Sequence, residues 1–111
     1  METNTEQIVE ELRLSVPVEF KEIWLKAERE VWEPWLKEQD GFLGRQIFYS
    51  KDKEEALLLV NWKSRKLWKK ISLEEVNKIQ NIFEGKVKDS MKKGINPFKL
   101  VFEGELYKEL V

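Results

Sequence analysis

Between Gly41 and Ser64 the chain reads GFLGRQIFYSKDKEEALLLVNWKS. Phe42–Tyr49 and Ala56–Trp62 are rich in aromatic and branched residues, and the charged KDKEE between them has the length of a hairpin turn, so the stretch predicts two antiparallel strands. Trp62 shares a face with Val60 and Leu58, while Asn61 points the other way with Leu59 and Leu57. The segment ALLLVNW is apolar at nearly every position, which predicts a strand buried on both faces. One layer of helices cannot cover both, so the pattern predicts a second copy of the chain on the far side of the sheet.

Upstream, residues 1–6 are polar and are expected to fray. From Ile8 to Val16, the residues Ile8, Leu12, Leu14 and Val16 alternate with Val9, Glu11, Arg13 and Ser15, a period of two that predicts a strand with one dry face. Glu10 is the polar exception on that dry face. Pro17 ends the ladder and is expected in the first turn of a helix, where its missing N–H costs nothing. From Val18 to about Glu38 the residues Phe20, Ile23, Trp24, Ala27, Val31 and Trp35 recur at helical spacing. Pro34 cannot donate to the carbonyl of Glu30, so this helix is expected to kink or restart near Trp32 and Glu33. Asp40-Gly41 then reverses the chain.

Beyond the hairpin, Ser64 is expected to cap the short turn RKLWKKI, and Ser72-Leu73-Glu74-Glu75 is a capping box opening a longer helix. The apolar stripe of that helix is Val76, Ile79, Phe83, Val87 and Met91. Gly94 is expected at its C-terminal stop, with Asn96-Pro97 preventing continuation. Phe98–Phe102 reads as the last strand, with Gly104 as a bulge before an extended terminal segment, GELYKELV. The order β-α-β-β-α-β closes most simply as one ferredoxin-like α+β domain over residues 1–111, with sheet order 4-1-3-2 and both helices on one face.

Composition narrows the chemistry. The chain has 111 residues, 20 basic and 21 acidic, for a net charge of -1. No global field therefore favours nucleic acid or an acidic membrane. No apolar run is long enough to span a bilayer, and the start METNTEQ lacks a signal-peptide core, which predicts a cytoplasmic protein. There is no Cys and no His. That excludes disulfides, thiolate nucleophiles, imidazole bases and the usual haem, zinc and iron-sulfur ligands, so no cofactor and no metal site is expected. Proton transfers would fall to carboxylates, Lys, Tyr, water or the substrate.

The run GFLGRQIFYSKDKEEALLLVNWKSRKLW resembles the second and third strands of antibiotic-biosynthesis-monooxygenase-like proteins, with their Gly-Phe turn and Trp-x-Ser ending. Within that superfamily it is most similar to a group of small uncharacterised proteins, described largely from cyanobacteria, that share the VP-x-E-F helix start and the W-x-P-x-L-K-x-Q-x-G-F-L-G segment. The resemblance implies a dimeric α/β barrel whose homodimer forms through the sheet face. Trp62 matches the strand-three Trp that faces the pocket in the haem-degrading branch. The strand-one Asn of that branch aligns with Leu12, and its haem-ligating His falls near Ser72. Haem degradation is thereby disfavoured.

Candidate site residues follow from parity and resemblance together. A cavity is expected between the helices and the sheet face carrying Leu12, Leu14, Val60 and Trp62. Trp62, Trp24, Trp68 and Leu12 are the candidate ligand contacts, with Glu10 as the candidate catalytic base. Against this stands the reading of the tryptophans as core. Glu11 and Arg13 are read as an ion pair inside the barrel, Asp40 as a turn residue and Tyr49 as a barrel-facing aromatic. Lys63, Arg65, Lys66, Lys69 and Lys70 surround Trp68 in a pattern that could track a single strand, yet Glu74 and Glu75 follow at once and a solvated helix face is the better reading. Three functions stay open: a cofactor-independent monooxygenase-like enzyme acting on a small aromatic or polyketide-like molecule, a non-catalytic small-molecule binder, and a structural dimer without activity.

Overall fold

Along the third strand, burial alternates residue by residue: Ala56, Leu58, Val60 and Trp62 are buried, whereas Leu57, Leu59 and Asn61 are half-buried. The computed structural model that reveals this describes residues 7–92 and 96–109. Its four strands are β1 (Ile8–Ser15), β2 (Phe42–Ser50), β3 (Glu55–Trp62) and β4 (Lys99–Tyr107). They form one antiparallel sheet in the order β2-β3-β1-β4, the expected ferredoxin-like arrangement. The expected fraying of residues 1–6 and the helix stop at Gly94 lie outside the described residues.

The hairpin closes over Lys51–Glu54, with Glu54 in the left-handed region at φ 52°. Its carbonyl accepts from Val16 N at 2.8 Å and its carboxylate from Val18 N at 2.7 Å, which ties the turn to the end of β1. Pro17 stands one step outside the helix: Val18–Phe20 is a 3₁₀ turn, and α1 (Lys21–Ala27) begins only after it. Glu28–Trp32 then widens into a π-helical turn before α2 (Glu33–Lys37). The restart at Glu33 follows the expectation for Pro34. The wide turn lets Glu33 N reach back to Glu28 O, so the chain continues through the proline without an open break.

Two short cap contacts start the helices that follow the hairpin. Ser64 Oγ accepts from Leu67 N at 3.2 Å at the start of α3 (Arg65–Lys69), and Ser72 Oγ accepts from Glu75 N at 3.1 Å at the start of α4 (Leu73–Met91). Lys92, left-handed at φ 57°, follows the last turn of α4. β4 runs through the position expected to bulge: Gly104 stands in regular register opposite Glu11, and the extra residue is Val101, where the pairing with Arg13 and Leu14 shifts.

The helices cover one face of the sheet. Val16, Trp24, Ala27, Leu58, Phe83, Val87 and Phe98 make one cluster, and Ile8, Trp35, Leu36, Val60 and Trp62 make a second. Tyr49 belongs to the covered face rather than the barrel side, because its partner across the ladder is Ala56, and its hydroxyl donates to Val16 O at 2.8 Å. The other face carries Leu57 and Leu59 with Phe48, Phe102 and Leu106, the last three about half exposed. Glu11 and Arg13 pair on that face at 3.0 Å.

Candidate active site

The register lines up one row of side chains across the covered face: Arg45 on β2, Val60 on β3, Glu10 on β1 and Glu105 on β4. Leu58, Leu12 and Glu103 form the row beside it. Above these rows lies a cavity of about 880 Å³, walled by Trp32 and Trp35 from the first helical arm, Trp68 and Ile71 from the α3 region, and Val76, Gln80 and Phe83 from α4. Apolar walls with a few converging polar groups are the usual make-up of a small-molecule site.

Glu10 is the polar group at the centre of the floor. The Trp62 indole N–H donates to its Oε1 at 3.2 Å. Burial pushes the Glu10 carboxyl above its ordinary value, with the Trp62 hydrogen bond and Lys69 pulling it back and Glu103 and Glu105 adding to the rise. Trp62 is itself clamped. Its ring stacks on Trp68 at 6.4 Å and 13° and meets the edge of Phe42 at 5.8 Å. Only 1% of it is exposed, so a planar ligand would have to displace Trp68 to stack on it. Trp62 thus holds the Glu10 carboxylate, while Trp68 and Leu12 line the cavity as wall and floor.

Trp68 is placed by backbone economy at Gly41. That residue holds φ 85°, and a Cβ added to it would lie 2.8 Å from Leu67 Cβ, so glycine is what lets α3 settle against the end of β2. Lys69 Nζ sits 3.9 Å from the centre of the Trp68 ring and 3.9 Å from Glu105. Arg65 grips the same Glu105 at 2.9 and 3.3 Å. Two of the five basic residues around Trp68, Arg65 and Lys69, are therefore engaged with β4. Asp40 is an exposed turn residue.

Trp24 does not line the cavity. Fully buried between Ala27, Leu58 and Phe83, it belongs to the core, because the α1 face that carries it turns toward Ala56 and Val16 rather than toward the α3 end of the sheet. Among the cavity-lining residues that went unread in the sequence are Glu28 and Arg45. Arg45 Nη1 donates to Glu28 Oε1 at 2.6 Å, Nη2 to Glu28 O at 3.3 Å and Nε to Glu33 Oε1 at 2.8 Å. Both charged groups of the first pair are about 95% buried. Burial raises the Glu28 carboxyl even against the guanidinium beside it. The signal was the same parity that marks Glu10: Arg45 shares a face with Ile47 and Tyr49, and Glu28 lies one helical turn after Trp24.

No cluster of three acidic side chains that could hold a metal ion occurs among the described residues. No helix among them is long and apolar enough to cross a membrane.

No family model matches the chain, and no curated protein matches its sequence. Solved structures do match it. A dimeric ferredoxin-like protein from an uncultured marine organism superposes with a TM-score of 0.59 at 18% identity, over 96% of its own length and 99% of this chain. A monooxygenase from Streptomyces coelicolor, in complex with the ligand nanaomycin D, gives 0.58 at 13% identity, with 93% and 99% covered. SnoaB, a cofactor-independent oxygenase from Streptomyces nogalater, gives 0.53 at 10% identity, with 94% and 96% covered. At such identities the likeness establishes a shared ferredoxin-like fold with monooxygenase-like antibiotic biosynthesis proteins.

Proposed function

We propose that the chain is a cytoplasmic, homodimeric, cofactor-independent oxygenase whose substrate is a small aromatic or polyketide-like molecule bound in the cavity over Glu10. The observation that carries this reading is a carboxylate held by an indole N–H on the floor of a roomy, mostly apolar cavity, with its proton affinity raised by burial. The fold shared with oxygenases that need no cofactor supports it, as does the resemblance of the W-x-P-x-L-K-x-Q-x-G-F-L-G segment to the small cyanobacterial group.

In this reading Glu10 takes a proton from an acidic methylene of the substrate. The electron-rich carbanion reduces O₂; one oxygen atom remains in the product as a carbonyl and the other leaves as water with the two methylene hydrogens. Trp62 fixes the carboxylate, Trp68 and Leu12 contact the ring system, and the apolar walls exclude bulk water. A second copy covers the Leu57/Leu59 face. Haem degradation by the mechanism of the resembling branch lacks its residues, since Leu12 and Ser72 stand at two of its positions.

Oxygen uptake with an anthrone, whose central methylene is acidic, tests the proposal. One O₂ consumed per quinone formed is the expected result, with kcat rising with pH as Glu10 ionises. Glu10→Gln should lower kcat by about 10²- to 10⁴-fold. Uptake unchanged in that variant would remove Glu10 as the base, and binding without uptake in the wild type would leave a small-molecule binder.

A further inference from the structure

Among the described residues Arg45 is the one nearly buried cation of the cavity lining, and the proposed chemistry makes no use of it. It stands in the same cross-sheet row as Glu10 with only Val60 between, two strand spacings or roughly 10 Å away at the backbone. Among the described residues its three hydrogen bonds engage one N–H on each nitrogen, which leaves two of the five guanidinium N–H groups without a partner. A contribution to stability alone explains it poorly, because apolar side chains of similar volume often replace a buried ion pair without loss. The π-helical turn adds to the case. It presents both the carbonyl and the carboxylate of Glu28 to the guanidinium, fixing the fork in one orientation at the cavity wall.

We propose that Arg45 is a specificity-determining residue that anchors the end of the ligand remote from Glu10 through a neutral oxygen acceptor. The proposal rests on the cavity being a ligand site. Glu28 and Glu33 already surround the guanidinium with two carboxylates, so the free N–H groups serve as hydrogen-bond donors rather than as a seat for another anion. A ligand matched to the row has polar groups at both ends of a flat apolar body, about the span of two fused rings, with an acidic group over Glu10 and an uncharged acceptor at Arg45.

Three probes test this by calorimetry: a naphthol carrying an acetyl group on the far ring, the same naphthol with an ethyl group, and the same with a carboxylate. The acetyl compound is expected to bind wild-type protein at least about tenfold more tightly than the ethyl compound, the size of one hydrogen bond to a charged donor. The carboxylate compound should bind more weakly than the acetyl one. In the double variant Arg45→Met with Glu28→Gln, which neutralises both members of the buried pair and leaves only Glu33, with its side chain 32% exposed, without its partner, the acetyl preference should fall to within twofold while ethyl affinity is kept. Equal binding of acetyl and ethyl probes by the wild type would overturn the role of Arg45 while leaving the cavity a ligand site, as would a preference retained in the double variant. The wild-type comparison decides the matter if that variant does not fold. Failure of all three probes to bind would overturn the ligand-site reading and this inference with it.

Discussion

Along β3 both faces of the sheet are built from apolar residues, and the two have different fates. On the covered face Ala56, Leu58, Val60 and Trp62 lie under helices; on the other, Leu57 and Leu59 neighbour Phe48, Phe102 and Leu106, which stay about half exposed. The second copy proposed above would cover this apolar patch. Both faces also carry charge, the open one as the Glu11–Arg13 pair. The covered face, which should be dry, holds Glu10, Glu28 and Arg45, each hydrogen-bonded inside or beside a cavity. The covered face thus holds the cavity of about 880 Å³, while the open face has a smaller hollow of about 200 Å³ beside Arg13, Phe48 and Leu57.

Three substitutions break or sharpen that contrast. Phe83→Ala removes a ring that is 2% exposed under α4 and should cost about 3–5 kcal/mol in denaturant unfolding, independent of protein concentration. On the far face, Leu59→Glu should convert a dimer into a folded monomer, read by sedimentation at micromolar concentration. A wild type that already sediments as a monomer would show that this face has no second copy on it.

The smallest effect concerns Glu10. Its folded pKa lies above 4.5, so the folded state holds the proton more tightly than the unfolded chain does. The resulting stability is fully present below about pH 4.5 and is lost as pH rises through the raised value. Glu10→Gln removes that loss, so the variant should gain on the wild type as pH climbs from 4.5 to 8 in parallel melts. Parallel curves with no divergence would place Glu10 in bulk-like surroundings. Glu28 is raised in the same direction but is present in both proteins, so it cancels in the difference.

Periodicity made much of this legible. The alternation in Ile8–Val16 identified the dry face and made Glu10 conspicuous on it; the run ALLLVNW announced a strand with two apolar faces; Ser64 and Ser72 marked the starts of two helices. Each of these depends on contacts between neighbours a few residues apart, and such contacts are written in the local order of side chains. The same parity would have exposed Arg45, but its partner lies 17 residues away, and only the pair explains the charge.

Other features needed the third dimension. Gly104 has the local freedom to bulge, yet the register with β1 places the extra residue at Val101, since ladder pairing on both sides of a break decides where slack is taken up. Tyr49 took its face from the hairpin pairing with Ala56. Trp24 and Trp68 are equivalent as composition, but only the packing of α1 against the core and of α3 against Gly41 sent one into the interior and the other to the cavity. The sequence by itself determined the elements, their order and the chemical types available, because backbone propensity and hydrophobic period act over one turn or one strand. Tertiary structure alone decided which charges meet and where space is left, because a cavity is the volume that distant elements fail to fill when they pack.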